Sequence, residues 1–128
     1  MEIYERLQAM EAAGKAIRVG LVGCGQMGSG MVHVTHQMPG METMAISDIN
    51  PNLPLAVLKE LGIPDSEICV VNKLGDAEDA LRDGKRLVTE DALLLTQLEG
   101  LDAVVEATGL TEIGSKVAVY GGGNTAMD

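Results

Sequence analysis

The stretch Ile17 to Ser29, IRVGLVGCGQMGS, restricts what this chain can fold into more than any other. Branched apolar residues, Ile17, Val19, Leu21 and Val22, run straight into Gly23-Cys24-Gly25-Gln26-Met27-Gly28. This is the G-x-G-x-x-G spacing of a buried strand that turns sharply and opens a helix. Each glycine meets a different need: Gly23 the tight turn, Gly25 a close backbone approach to a pyrophosphate, and Gly28 close packing of the new helix on the sheet. The helix N-terminus then presents unpaired N–H groups and a partial positive charge. Glycine makes up 16 of the 128 residues, so the triplet would recur by chance and its surroundings must carry the reading.

Those surroundings agree with it. Met27, Met31, Val34 and Met38 recur at i, i+4, i+7 and i+11, a stripe that predicts the helix face lying on the sheet. The helix is expected to stop at Met38-Pro39-Gly40, since proline lacks a donor and glycine accepts a left-handed turn. A second strand, Glu42 to Ser47, leads into Asp48, 20 residues beyond Gly28. A carboxylate at that distance accepts hydrogen bonds from the adenosine ribose hydroxyls of a dinucleotide. It would repel a 2′-phosphate, and Ile49-Asn50-Pro51-Asn52 has no Arg or Lys to neutralise one, so NAD is favoured over NADP. The expected cofactor-binding set is Gly23, Cys24, Gly25, Gln26, Met27, Gly28, Asp48 and Ile49.

Further along, strands and helices alternate. Ile3, Leu7 and Met10 share one face of a first helix within residues 1 to 16. Pro54 opens a helix carrying Leu55, Leu58 and Leu61 as far as Gly62. Ile68-Cys69-Val70-Val71 reads equally as a short strand or a loop anchor, and residues 75 to 83 as an acidic helix. Arg86 to Val88 is a strand, after which Thr89 can cap a helix with Glu90 and Asp91 in its first turn and Leu93, Leu94, Leu95 and Leu98 on a broad apolar face. Leu101 to Glu106 is a buried strand running into Ala107-Thr108-Gly109, and because ligands lie at the carboxyl ends of parallel strands, Thr108 and Gly109 join the cofactor-binding candidates. Thr111 to Tyr120 has helical spacing at Ile113, Val117 and Tyr120, and also strand-like alternation from Lys116 to Tyr120; the helix is preferred. The pattern specifies a right-handed parallel α/β fold, a Rossmann-like doubly wound sheet truncated after about its first half, over residues 17 to 120. Residues 121 to 128 form a glycine-rich tail whose Gly121-Gly122-Gly123-Asn124-Thr125-Ala126 matches G-x-G-x-x-A, with only Met127 and Asp128 behind it to start a helix.

Composition narrows the partners. With no Phe or Trp, the core must be built from Leu, Val, Ile, Ala and Met. A net charge of −10 argues against nucleic acid and anionic membrane, and no apolar run reaches the length of a membrane span. Cys24 and Cys69 are too few for a disulfide framework and read as free thiols, which with the absence of a signal peptide predicts a cytoplasmic protein. His33 and His36 lack a third ligand at a matching spacing and read as a surface pair, so no metal is expected. The acids Asp76, Glu78, Asp79 and Asp83 read as a solvated face. No G-x-S-x-G elbow and no lysine after the glycine turn supports hydrolysis or phosphoryl transfer.

Four segments carry a family resemblance: Tyr4-Glu5-Arg6-Leu7, Ile17 to Gly28, Arg86-Leu87-Val88-Thr89-Glu90-Asp91, and Asp102-Ala103-Val104-Val105-Glu106-Ala107-Thr108-Gly109. Together they resemble the N-terminal domain of homoserine-dehydrogenase-like oxidoreductases, and more closely the branch with a C-terminal SAF domain, which includes deoxyxylulose-phosphate-reductoisomerase-like enzymes. The resemblance covers about residues 3 to 120 and implies an NAD(P)-binding domain followed by a catalytic and dimerising one. The tail GGGNTAMD is instead similar to the second nucleotide motif of glutamate-synthase-type flavoproteins. The resemblance thus implies a cofactor domain whose catalytic domain is missing, with catalytic residues unassigned. A small-molecule substrate would then bind only with that domain supplied, and the surface left bare would favour a homo-oligomer. A non-catalytic dinucleotide sensor and a non-functional fragment are the competing readings.

Overall fold

The apolar runs become strands of a single sheet because each is too short for a helix of its own and is followed by a segment that carries the chain back. The computed structural model describes residues 2–108 and the backbone of residues 117–119. In chain order these are α1 (Ile3–Ala12), β1 (Ile17–Val22), α2 (Gln26–Gln37), β2 (Met41–Ser47), α3 (Asn52–Glu60), a 3₁₀ turn at Asp65–Glu67, β3 (Ile68–Val70), α4 (Leu74–Arg82), β4 (Arg86–Thr89), α5 (Ala92–Gln97), β5 (Ala103–Glu106) and β6 (Val117–Val119). The strands lie in the order β3-β4-β2-β1-β5-β6, and every pairing is parallel. From β1 the chain adds β2 beside it, places β3 at the far edge and fills the gap between them with β4, then returns to the other side of β1 with β5. That reversal makes the sheet doubly wound and Rossmann-like, and ligands in such sheets lie outside the carboxyl ends of the strands at the reversal.

Successive strand residues feed opposite faces. Leu21, Ile46 and Val88 meet Val32 of α2 and Val57 and Leu58 of α3 on one side. Val22, Ala45, Leu87 and Val104 meet Ala77 and Leu81 of α4 and Leu94, Leu95 and Leu98 around α5 on the other. Burial of both faces explains why these strands read as continuous apolar runs. Ile68–Val70, whose composition suits strand and loop anchor equally, forms β3, an edge strand paired with β4. α1 docks through Leu7, whose backbone lies so close to Gly40 that a Cβ built there would sit 2.3 Å from the Leu7 carbonyl oxygen.

Three expectations are corrected. The Met27, Met31, Val34, Met38 stripe is not the face that lies on the sheet: Gly28, Val32 and Thr35 are buried there, Met31 packs only partly buried at the border of the core, and Met27 is 46% and Val34 60% exposed. The cause is Gly28, where a Cβ would fall 2.0 Å from the Gly23 carbonyl oxygen; only the face bearing that glycine can come this near the strand. Burying Thr35 is tolerated because its hydroxyl lies 3.0 Å from the Met31 carbonyl oxygen and 2.8 Å from the Thr43 hydroxyl. Second, Thr89 is not the cap of α5. It is the wholly buried last residue of β4, and Asp91 caps the helix by accepting from the Leu93 N–H at 3.0 Å. Third, the helix preferred over Thr111 to Tyr120 is overturned at residues 117–119, which form β6 against β5. The open edge of β5 offers a row of backbone donors and acceptors, and a Val-rich alternating segment suits it better than helical spacing suits a helix.

Candidate functional site

β1 ends where Gly23 donates its N–H to the Ser47 carbonyl at 2.7 Å and turns with φ +95°, a conformation that side chains disfavour. Space forbids a side chain there as well, since a Cβ would lie 2.5 Å from the Thr108 methyl. Gly25 is different. It has φ −75° and ψ −155°, and a Cβ on it would meet nothing within 4 Å. Conformation therefore does not demand glycine at 25, and the open space beside it is what a side chain would fill.

Gly25 is also the N-cap of α2, and it supplies no side-chain cap. The first N–H to be paired within the helix is that of Ser29, to the Gly25 carbonyl at 2.8 Å, so those of Gln26, Met27 and Gly28 have no intrahelical acceptor. No acidic residue stands in the first turn to offset the helix dipole. These donors and the positive end of α2 thus open beside the unfilled space at Gly25, the arrangement that takes an anion.

Asp48, immediately beyond β2, is joined to this turn. Its Oδ2 accepts from the Cys24 N–H at 2.8 Å and its Oδ1 from the Asn50 N–H at 2.9 Å. Each oxygen has capacity for a further donor, so the carboxylate can hold the turn and still receive ribose hydroxyls. Spacing along the chain does not foretell this tie between Asp48 and the glycine turn, because residues 24 apart in sequence meet only once β1 and β2 pair. Ile49 is 90% exposed beside it, an apolar surface against which a base could lie. Cys24 is buried, and its thiol is pushed up to about 11, first by burial and then by the negative charge of Asp48. It contributes its N–H and not a nucleophile.

Across the reversal, Thr108 donates its N–H to Glu106 Oε1 at 2.6 Å and its hydroxyl to the same oxygen, which sets its methyl group against Gly23. Gly109 lies outside the described residues. Gly23 to Gly28, Asp48, Ile49 and Thr108 are thus brought together at one edge of the sheet. Glu106 is the residue that sequence reasoning misses: it is wholly buried, and its Oε2 has no hydrogen-bond partner among the described residues. Its signal in the sequence is an acid closing the apolar run Ala103-Val104-Val105-Glu106. Elsewhere, half-buried His33 pairs with the more exposed Glu60 at 3.4 Å between α2 and α3, and no cluster of three metal-ligating side chains occurs among the described residues. No helix among them is long and apolar enough to cross a membrane.

No family model matches the chain, and no curated protein does. Among solved structures it is similar to myo-inositol dehydrogenase from Lactobacillus casei, determined in complex with NAD(H) and myo-inositol, at 22% identity and a TM-score of 0.49. The alignment covers 72% of this chain and 21% of that one, so the chain spans about a fifth of that protein's length.

Proposed function

We propose that this chain binds a nicotinamide dinucleotide, NAD in preference to NADP, as the cofactor-binding domain of an oxidoreductase. The observation that carries the reading is the uncapped N-terminus of α2 beside the open space at Gly25, with Asp48 tied to the same turn through the Cys24 N–H at 2.8 Å. The pyrophosphate would take the N–H groups of Gln26, Met27 and Gly28, and the adenosine ribose the remaining acceptor capacity of Asp48. Thr108 would stand on the nicotinamide side. The bound cofactor carries the hydride, while the protein supplies position and electrostatics. The motifs around Ile17 to Gly28 and Asp102 to Gly109 support an oxidoreductase of the homoserine-dehydrogenase-like kind, with a substrate-binding partner domain completing the reaction.

Calorimetric titration of the purified chain with NADH and NADPH in parallel tests this. NADH should bind, and more tightly than NADPH, and Asp48→Ala should erase the difference. Binding of neither nucleotide would reject the proposal. Tighter binding of NADPH, unaltered by Asp48→Ala, would remove Asp48 from the ribose site.

A further inference from the structure

The carboxylate of Glu106 takes no part in the contacts assigned to the pyrophosphate and the adenosine ribose. Glu106 is the last residue of β5, in register with Val22 at the end of β1, and so stands just behind the glycine turn. It lies across the reversal from Asp48, since β1 separates β2 from β5. Its side chain is wholly buried. Oε1 is taken by the Thr108 N–H and hydroxyl, whereas Oε2 has no hydrogen-bond partner, and no Lys, Arg or His pairs with the carboxylate, among the described residues. Orphaned buried acceptors are rare in folded proteins, and a buried anion without a countercharge is costly, so retention of one beside a ligand site points to a positive charge on the ligand.

A dinucleotide in such a fold spans the reversal. With its adenosine ribose at Asp48 and its pyrophosphate at the glycine turn, its nicotinamide half falls toward β5. The oxidised nicotinamide ring is a cation and the reduced ring is neutral. We infer that the buried Glu106 carboxylate, which no basic side chain among the described residues pairs with, biases this site toward the oxidised dinucleotide, stabilising NAD⁺ over NADH. The inference rests on the dinucleotide-binding proposal above. Buried charges interact in a medium of low effective dielectric and are little screened by salt, so the bias should persist at physiological ionic strength.

The test compares NAD⁺ and NADH affinities, by calorimetry, for the full chain and for Glu106→Gln, which keeps the shape and removes the charge. Glu106→Gln should weaken NAD⁺ by roughly threefold to tenfold relative to NADH, the range for loss of one partly screened charge interaction. Equal weakening of both nucleotides would reduce Glu106 to a support for the Thr108 turn and overturn the inference while leaving dinucleotide binding intact. No binding of either nucleotide to the unmodified chain would instead reject the underlying proposal. Should Glu106→Gln fail to fold, Glu106→Met removes the same charge in an apolar residue of similar volume, a kind of replacement that buried ionic groups commonly tolerate. The unmodified chain supplies an independent check: NADH binding tighter than NAD⁺ would overturn the inference without any variant.

Discussion

Gly28 and Gly25 stand three residues apart in one motif, yet the structure assigns them separable roles, and a pair of substitutions distinguishes them. In Gly28→Ala the new Cβ would lie 2.0 Å from the Gly23 carbonyl oxygen and 2.9 Å from its carbon, both backbone atoms that no rotamer change can move aside. Restoring an ordinary contact requires α2 to lift by about 1.4 Å, loosening Val32 in a core packed to solid density. Overpacking of this kind costs about 1–3 kcal/mol, and Ala returns up to about 1 kcal/mol of helix propensity. A backbone clash belongs at the upper end, so a net loss of about 2 kcal/mol is expected, or roughly 7 °C in Tm for a domain of this size. Gly25→Val should behave oppositely. Its φ of −75° suits any residue and its Cβ meets nothing, so stability should change by no more than about 0.5 kcal/mol while dinucleotide binding is lost. Thermal unfolding followed by circular dichroism, alongside calorimetric titration, reads both. The two roles are not separable if Gly28→Ala melts with the unmodified chain, if Gly25→Val is equally destabilised, or if Gly25→Val still binds the dinucleotide.

Other consequences are open to direct measurement. With its thiol raised from 9.0 to about 11, Cys24 stays protonated in the folded chain up to that pH, and an aromatic disulfide reagent at pH 8 should modify the less buried Cys69 first. The unfolded chain gives up that proton at lower pH, so the stability linked to Cys24 is complete below about pH 9 and declines as pH rises toward 11; Cys24→Ala should flatten this part of the stability profile. Thr35→Val leaves the buried Thr43 hydroxyl without its partner at 2.8 Å and should cost about 1–2 kcal/mol, whereas Thr35→Val with Thr43→Val should recover much of the loss in chemical denaturation. Hydride transfer needs an acid or base within reach of the reacting oxygen, and the site residues described offer only Asp48, engaged by the turn, and Glu106, wholly buried. Steady-state assays of NADH oxidation with homoserine-like aldehydes or deoxyxylulose phosphate should therefore show no saturable turnover by this chain alone; turnover abolished by Lys116→Ala would contradict this.

Local chemistry determined much of this protein in advance. The strand-turn-helix at Ile17 to Gly28, the stops at Gly40, Gly62 and Gly84, and the distance to Asp48 were legible because each depends on neighbours along the chain: a left-handed φ, an absent Cβ, an apolar run of strand length. Tertiary structure decided what sequence periodicity left degenerate. The periodicity of α2 marked the methionine stripe, but the close packing that Gly28 permits against Gly23 turned the face through Val32 and Thr35 onto the sheet and left Met27 and Val34 exposed. Residues 117–119 could satisfy helix or strand spacing, and the free edge of β5 chose strand. Asp48 reaches the Cys24 N–H, and Glu106 comes to lie behind the glycine turn, only because β2 and β5 pair with opposite sides of β1. Hydrogen bonds and burial between segments far apart in sequence exist only after the strands assemble, so no spacing along the chain encodes them.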